Sequence, residues 1–244
     1  MSFKSYVMSK GIYEIGESNC TCSFNKQFNY EFVCEHINLI FDIHERLKGC
    51  SIPKQNLLNK MVEDFKVSEK ILKEDLSKYQ YNFKNEFEEN VLKFGENVLI
   101  RIQKILDVIH KNNYENLVLR SIKLREFCVY NTHLNDIFSN QNHKIFIKSI
   151  EDICENMVEY DYVKFFTRLK RGNCDLDFLK CCAYVCGKEK LGMDSYNFIL
   201  ACISFPYEFV RVISKYRDLG GHLNNYFKEI NFENVLKKDG QSFV

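Results

Sequence analysis

Three successive stretches of this chain repeat their apolar residues at steps of three and four, and that period constrains the fold more than any other feature. Val33, Ile37, Ile40, Phe41, His44 and Leu47 fall on one helical face, and Gly49 follows where a helix end favours a residue free to take positive φ. Leu58, Met61, Val62, Phe65, Leu72, Leu76 and Tyr79 mark a second helix, charged on its other side. Phe87, Val91, Phe94, Val98, Ile102, Ile105 and Ile109 mark a third. A short helix from Tyr114 to about Ser121 follows. Two prolines and ten glycines in 244 residues are too few for a chain of many tight β turns. At 45% hydrophobic with balanced charge, the chain buries its own core rather than remaining disordered.

The period changes after Leu124. Phe127-Cys128-Val129 reads as a short buried strand and Lys144–Lys148 as another, separated by the turn Ser139-Asn140-Gln141-Asn142. The expectation is one small β hairpin within residues 127–150. Helices resume at about 159–171, 175–187, 194–204 and 206–217, with a weaker one from 222. Pro206 suits a first turn, and Asp175 and Asp194 are expected N-caps. Residues 1–27 form a separate short segment, with Tyr6-Val7-Met8 read as a strand before a Cys/Ser/Asn-rich loop. Residues 28–244 form the helical body.

Thirty-four basic and 33 acidic groups give a net charge of +1, so neither nucleic acid nor an acidic membrane is an expected partner. Lysine alternates with Glu and Asp over residues 59–90, as on a solvated face. The N-terminus has no apolar signal-type core, so synthesis in a reducing cytoplasm is the expectation. The eleven cysteines are odd in number and irregularly spaced, unlike a secreted disulfide framework. Cys182-x₃-Cys186, near Cys174 and Cys181, has zinc-like spacing but no matching second pair. These cysteines are expected to pack as small apolar residues. His44, on an apolar face, reads as a core histidine, and Asp161 as a helix-start carboxylate that accepts backbone N–H groups from the loop above it.

Several words along the chain resemble a known family. Cys128-Val129-Tyr130-Asn131 through Asp136 is similar to the Cys-His-Gly-Asp-x-x-x-x-Asn stretch of the spore coat kinase-like (CotS) family, relatives of aminoglycoside and choline phosphotransferases. Lys144–Glu151 resembles that family's second strand, which ends in Ile-Asp-Phe-Asp, and Tyr160-Asp161 its following Tyr-Asp. Ile40–Gly49 is similar to its Phe-His-x-x-x-Lys-Gly helix end, and Phe205–Tyr216 to its Pro-Glu-Lys-Phe-Trp-Arg-x-x-Asn-x-Tyr. Tyr6–Lys10 resembles the strand that joins the two lobes. The resemblance covers nearly the whole chain. It implies a mainly α fold, the large C-terminal lobe of the protein-kinase-like architecture with a small β hairpin.

The same resemblance implies lost chemistry. The family's catalytic Asp falls on Asn131, and a neutral amide cannot accept a substrate proton near neutral pH. The magnesium-holding Asn falls on Asp136, and the metal-binding Asp of the second strand falls on Ser149. What remains is at most a weak cation site of Asp136 with Glu151 or Asp152. Nothing before Tyr6 matches the glycine-rich loop or the phosphate-contacting lysine. The expectation is therefore a pseudokinase lobe with no catalytic residue, cofactor or bound metal. Its implied role is structural, in bacterial spore coat assembly, moving from the mother-cell cytoplasm to the coat. Its implied partners are other coat proteins or a second copy. The alternative is a divergent small-molecule phosphotransferase whose nucleotide-binding lobe comes from another chain.

Overall fold

A computed structural model describes residues 1–15, 29–222 and 225–244. Its elements run in chain order as α1 (Phe3–Ser9), β1 (Ile12–Glu14), α2 (Tyr30–Leu47), α3 (Lys60–Tyr81), α4 (Glu86–Lys111) and α5 (Tyr114–Leu124). Next come β2 (Phe127–Cys128), β3 (Ile137–Ser139), β4 (Ile145–Ile147) and β5 (Cys154–Glu155). Six helices close the chain: α6 (Glu159–Arg171), α7 (Phe178–Glu189), α8 (Met193–Ile203), α9 (Tyr207–Asp218), α10 (Asn225–Lys228) and α11 (Phe232–Asp239). Among the described residues no single helix is long and apolar enough to cross a membrane.

The amphipathic stripes become the core. Asn29 caps α2 by accepting the Phe32 N–H, and Gly49 leaves it at φ +74°. Helices α3 and α4 fold back on each other as a hairpin. Gly95 permits their approach, because a Cβ there would stand 2.8 Å from Leu76 Cδ2. The solvent side of α3 carries the expected alternation, with exposed pairs Lys60–Asp64, Glu63–Lys66 and Glu69–Lys73. Two carboxylates on this hairpin, Asp75 and Glu88, are nevertheless buried, against Arg217 and Tyr216 from α9. Helix α6 is buried along nearly its whole length and packs against α8.

The β structure differs from the expected single hairpin. The hairpin is β3–β4, with Ile137 opposite Ile147. β1 adds to it in parallel, Ile12 opposite Ile145, giving the order β1-β4-β3. The Phe127–Cys128 strand pairs instead with β5, antiparallel, in a separate two-stranded ribbon. Strands of two or three residues carry almost no alternation, so their partners are set by the surrounding helices.

Tyr6-Val7-Met8 is not a strand. It lies in α1, which Ser2 caps by accepting the Ser5 N–H, while Val7 is fully buried and Phe3 packs on Phe127 at 5.9 Å. Phe3, Tyr6 and Val7 fall at helical spacing, which outweighs the local strand propensity. The cap of α7 is Asp177, accepting the Lys180 N–H, rather than Asp175. Gly192 precedes α8, while Asp194 lies in its first turn and accepts from Asn113. α9 begins just after Pro206, and its first N–H groups are capped from afar by Asp239, which accepts from Glu208 and Phe209. The Cys/Ser/Asn-rich loop with Cys20 and Cys22 lies outside the described residues.

Candidate functional site

The loop after β2 hangs from one carboxylate. Asp161, in the first turn of α6 and fully buried, accepts the Val129 N–H at 2.7 Å and the Tyr130 N–H at 3.0 Å. Tyr130 takes a left-handed φ of +67° to bring those donors together. Thr132 Oγ1 donates to the Asp161 carbonyl, and His36 donates from Nε2 to the Thr132 carbonyl at 3.0 Å. Burial pushes His36 down to about 4, so it serves as a neutral donor.

Behind Asp161 stands His44, the α2 residue read from sequence as a core histidine. Its Nε2 meets Asp161 Oδ2 at 3.0 Å and its Nδ1 meets Glu189 Oε1 at 2.7 Å, where Tyr162 also donates its hydroxyl. Burial opposes charge on this ring, but Glu189 and Asp161 together push it up to about 10. The ring is therefore an imidazolium with both N–H groups spent. Cys128 Sγ comes close enough to group with His44 and Asp161 as a metal-like trio. Burial and Asp161 raise its thiol well above the usual range, and its S–H donates to the Met157 carbonyl. In this arrangement all three groups are held by protein partners, the ring by Asp161 and Glu189 and the thiol by the Met157 carbonyl, as a structural clamp.

The loop presents Asn131 half-buried, donating from Nδ2 to Asp152 Oδ2 at 2.6 Å. Asp136 faces two cations, Arg168 at 3.7 Å and Lys148 at 3.9 Å. Ser149 turns its hydroxyl to the Glu151 N–H at 3.2 Å, closing a local turn. Glu151 itself pairs with Lys54 at 3.1 Å. The carboxylates proposed for a residual cation site thus each have another partner. Among the described residues none of them belongs to a group of three or more metal-type ligands.

Beside the loop lies a cleft of about 470 Å³. Its walls come from α3 (Met61, Phe65), from Tyr130, from Asp152 and Cys154, and from Tyr160 and Lys164 on α6. Tyr130 and Tyr160 stack at 5.8 Å, and Lys164 Nζ lies over both rings, 5.1 and 5.2 Å from their centres. Burial, with Arg168 nearby, lowers the Lys164 amine.

Sequence reading located Asn131, Asp136 and Ser149, which lie between β2 and β5 and meet Asp152, Lys148 with Arg168, and the Glu151 N–H respectively. It missed Asp152 as the partner of Asn131, Glu189 as the second clamp on His44, and the cleft. Glu189 is 145 residues from His44, and no local pattern encodes that meeting. Asp152 was visible only as an acid near the second strand.

No family model matches the chain, and no curated protein matches it in sequence. Among solved structures the chain is similar in fold to an aminoglycoside phosphotransferase from Alicyclobacillus acidocaldarius, with a TM-score of 0.67 and 13% sequence identity. The match covers 85% of this chain and 60% of that one. This chain therefore has a mainly α, phosphotransferase-like fold of the kinase-like class, with small sheets.

Proposed function

We propose that this chain is a non-catalytic, kinase-like lobe that works by contact with other proteins. The observation that carries the reading is the partnering of the three degenerate positions. Phosphoryl transfer needs a base to take the acceptor proton and carboxylates to hold the metal that bridges the phosphates. Asn131 holds a neutral amide that donates to Asp152 instead of accepting. Asp136 is neutralised by side chains of the chain itself, and Ser149 spends its hydroxyl on a turn. Rebuilding the site would require changing all of these together.

The biological setting we propose, a structural part in the bacterial spore coat with coat proteins or a second copy as partners, is supported by the sequence resemblance alone. Two measurements test the halves of the proposal separately. Calorimetry with Mg·ATP is expected to give no heat of binding, and tight magnesium-dependent binding would end the non-catalytic reading. Fractionation of sporulating source cells is expected to place the chain in the coat. Recovery from vegetative cytosol alone would end the coat assignment and leave the first half standing.

A further inference from the structure

All nine cysteines among the described residues are free thiols. Two of them, Cys128 and Cys154, stand directly opposite each other across the antiparallel β2–β5 ribbon. The Asn156 N–H donates to the Glu126 carbonyl one register beyond the ribbon, at 3.3 Å. Alternation along an antiparallel ladder then makes Cys128/Cys154 a hydrogen-bonded pair. Such pairs hold their Cα atoms about 5.5 Å apart with both side chains on one face. Protein disulfides favour Cα separations of about 5.5–6 Å with Cβ atoms about 3.5–4.5 Å apart, so closure must draw the two Cβ atoms inward from the wider spacing of a hydrogen-bonded pair. The two thiols also share one small buried cluster with Tyr160, apart from the main core.

We propose that Cys128 and Cys154 are a disulfide-forming pair, and that their oxidation staples the strand entering the Asn131 loop to the strand leaving the Ser149–Asp152 segment. The inference does not depend on whether the lobe is catalytic. Cys154 is 2% exposed and lines the cleft, and Cys128 is fully buried, so oxidation starts at Cys154 when the cleft wall opens locally. The oxidant class is a low-molecular-weight disulfide such as oxidised glutathione. Cys154 thiolate attacks one glutathione sulfur and expels the other glutathione as its thiolate, leaving a mixed disulfide. Cys128 thiolate then attacks Cys154 Sγ and expels the second glutathione thiolate. The two protons lost by the cysteines end on the two glutathiones, so one disulfide is reduced as one forms.

The facing positions permit the bond while burial slows it. Burial holds Cys154 up at about 12 and Cys128 well above the ordinary range, so little thiolate exists near neutral pH. Closure is therefore slow at pH 7 and accelerates about tenfold for each unit of pH. Once formed, the bond encloses residues 129–153, including the Asn131–Asp152 contact, and removes the Cys128 S–H donated to Met157.

The test uses the full chain, purified reduced, incubated with oxidised glutathione at pH 7.5 and 8.5, and quenched with N-ethylmaleimide in denaturant. Non-reducing peptide mapping is expected to find the Cys128 peptide joined to the Cys154 peptide, faster at the higher pH and reversed by dithiothreitol. Tm is expected to rise by about 5–10 °C on closure. Cys154→Ser, a near-isosteric change, is expected to fold and to lose both the linked peptide and the Tm shift. The proposal fails if Cys128 and Cys154 both remain fully alkylated after prolonged oxidation. It fails equally if Cys154 accumulates as a glutathione adduct that never closes, or if either cysteine pairs with a different partner.

Discussion

Replacing Glu189 by Gln isolates the charge that the His44 clamp depends on. The two flanking carboxylates carry the imidazole from its usual 6.5 to about 10. At about 1.4 kcal/mol per pH unit, that shift amounts to about 5 kcal/mol favouring the charged ring in the folded state. Glu189 is one of the two carboxylates, so its neutralisation should cost about 2–3 kcal/mol at pH 7. Gln keeps an oxygen for the Tyr162 hydroxyl and the Nδ1–H, so shape and hydrogen bonding change little. The sign follows from linkage. A raised histidine contributes fully below its unfolded value near 6.5 and loses the contribution as pH rises through about 10. The gap between wild type and Glu189→Gln should therefore be widest near pH 6–7 and shrink steadily toward pH 10. Urea denaturation at four pH values measures it, and taking differences cancels groups common to both proteins. A gap that stays constant with pH, or one below about 0.5 kcal/mol at pH 7, would refute the charged-clamp reasoning.

Other perturbations read other parts of the molecule. Arg120 grips Glu126 and Glu159 with two hydrogen bonds each, and both acids are buried, so Arg120→Lys should cost about 2–4 kcal/mol in chemical denaturation despite conserving charge. Asn131→Asp sets two carboxylates together at the 2.6 Å contact with Asp152. It should destabilise by about 1–2 kcal/mol at pH 7, recover as the pair takes up a proton on acidification, and confer no phosphoryl transfer in a radiolabelled-ATP assay. Gly95→Val drives its Cβ into Leu76 and should lower stability by about 2–3 kcal/mol, with a smaller additional loss when combined with Leu76→Ala.

Much of this protein was legible before any coordinates. The stripes at 33–47 and 87–109 lie within helices, the stripe from Leu58 to Tyr79 lies in α3 from Lys60 onward, and Gly49 ends the first as its position implied. His44 and Asp161 were placed in their structural roles from their positions at a helix face and a helix start. What failed was short-range. The Phe3–Ser9 helix reads as a strand at Tyr6-Val7-Met8 because seven residues make only about two turns, too few for a period to declare itself. The partner of Phe127–Cys128 was misassigned because a two-residue strand carries no register of its own.

The sequence by itself determined the helical elements and the residue types at positions 131, 136 and 149. These follow from local spacing and side-chain chemistry, which a linear string preserves. Only the tertiary structure decided what those residues do. Asn131 could not be known as a donor to Asp152, nor Asp136 as the partner of Lys148 and Arg168, until the loops were folded together. The same holds for the clamp joining residues 44, 161 and 189, for the cleft beside Tyr130, and for Cys128 facing Cys154. Each depends on bringing distant segments within a few ångströms, where desolvation and charge act at full strength, and that proximity is a property of the packed core alone.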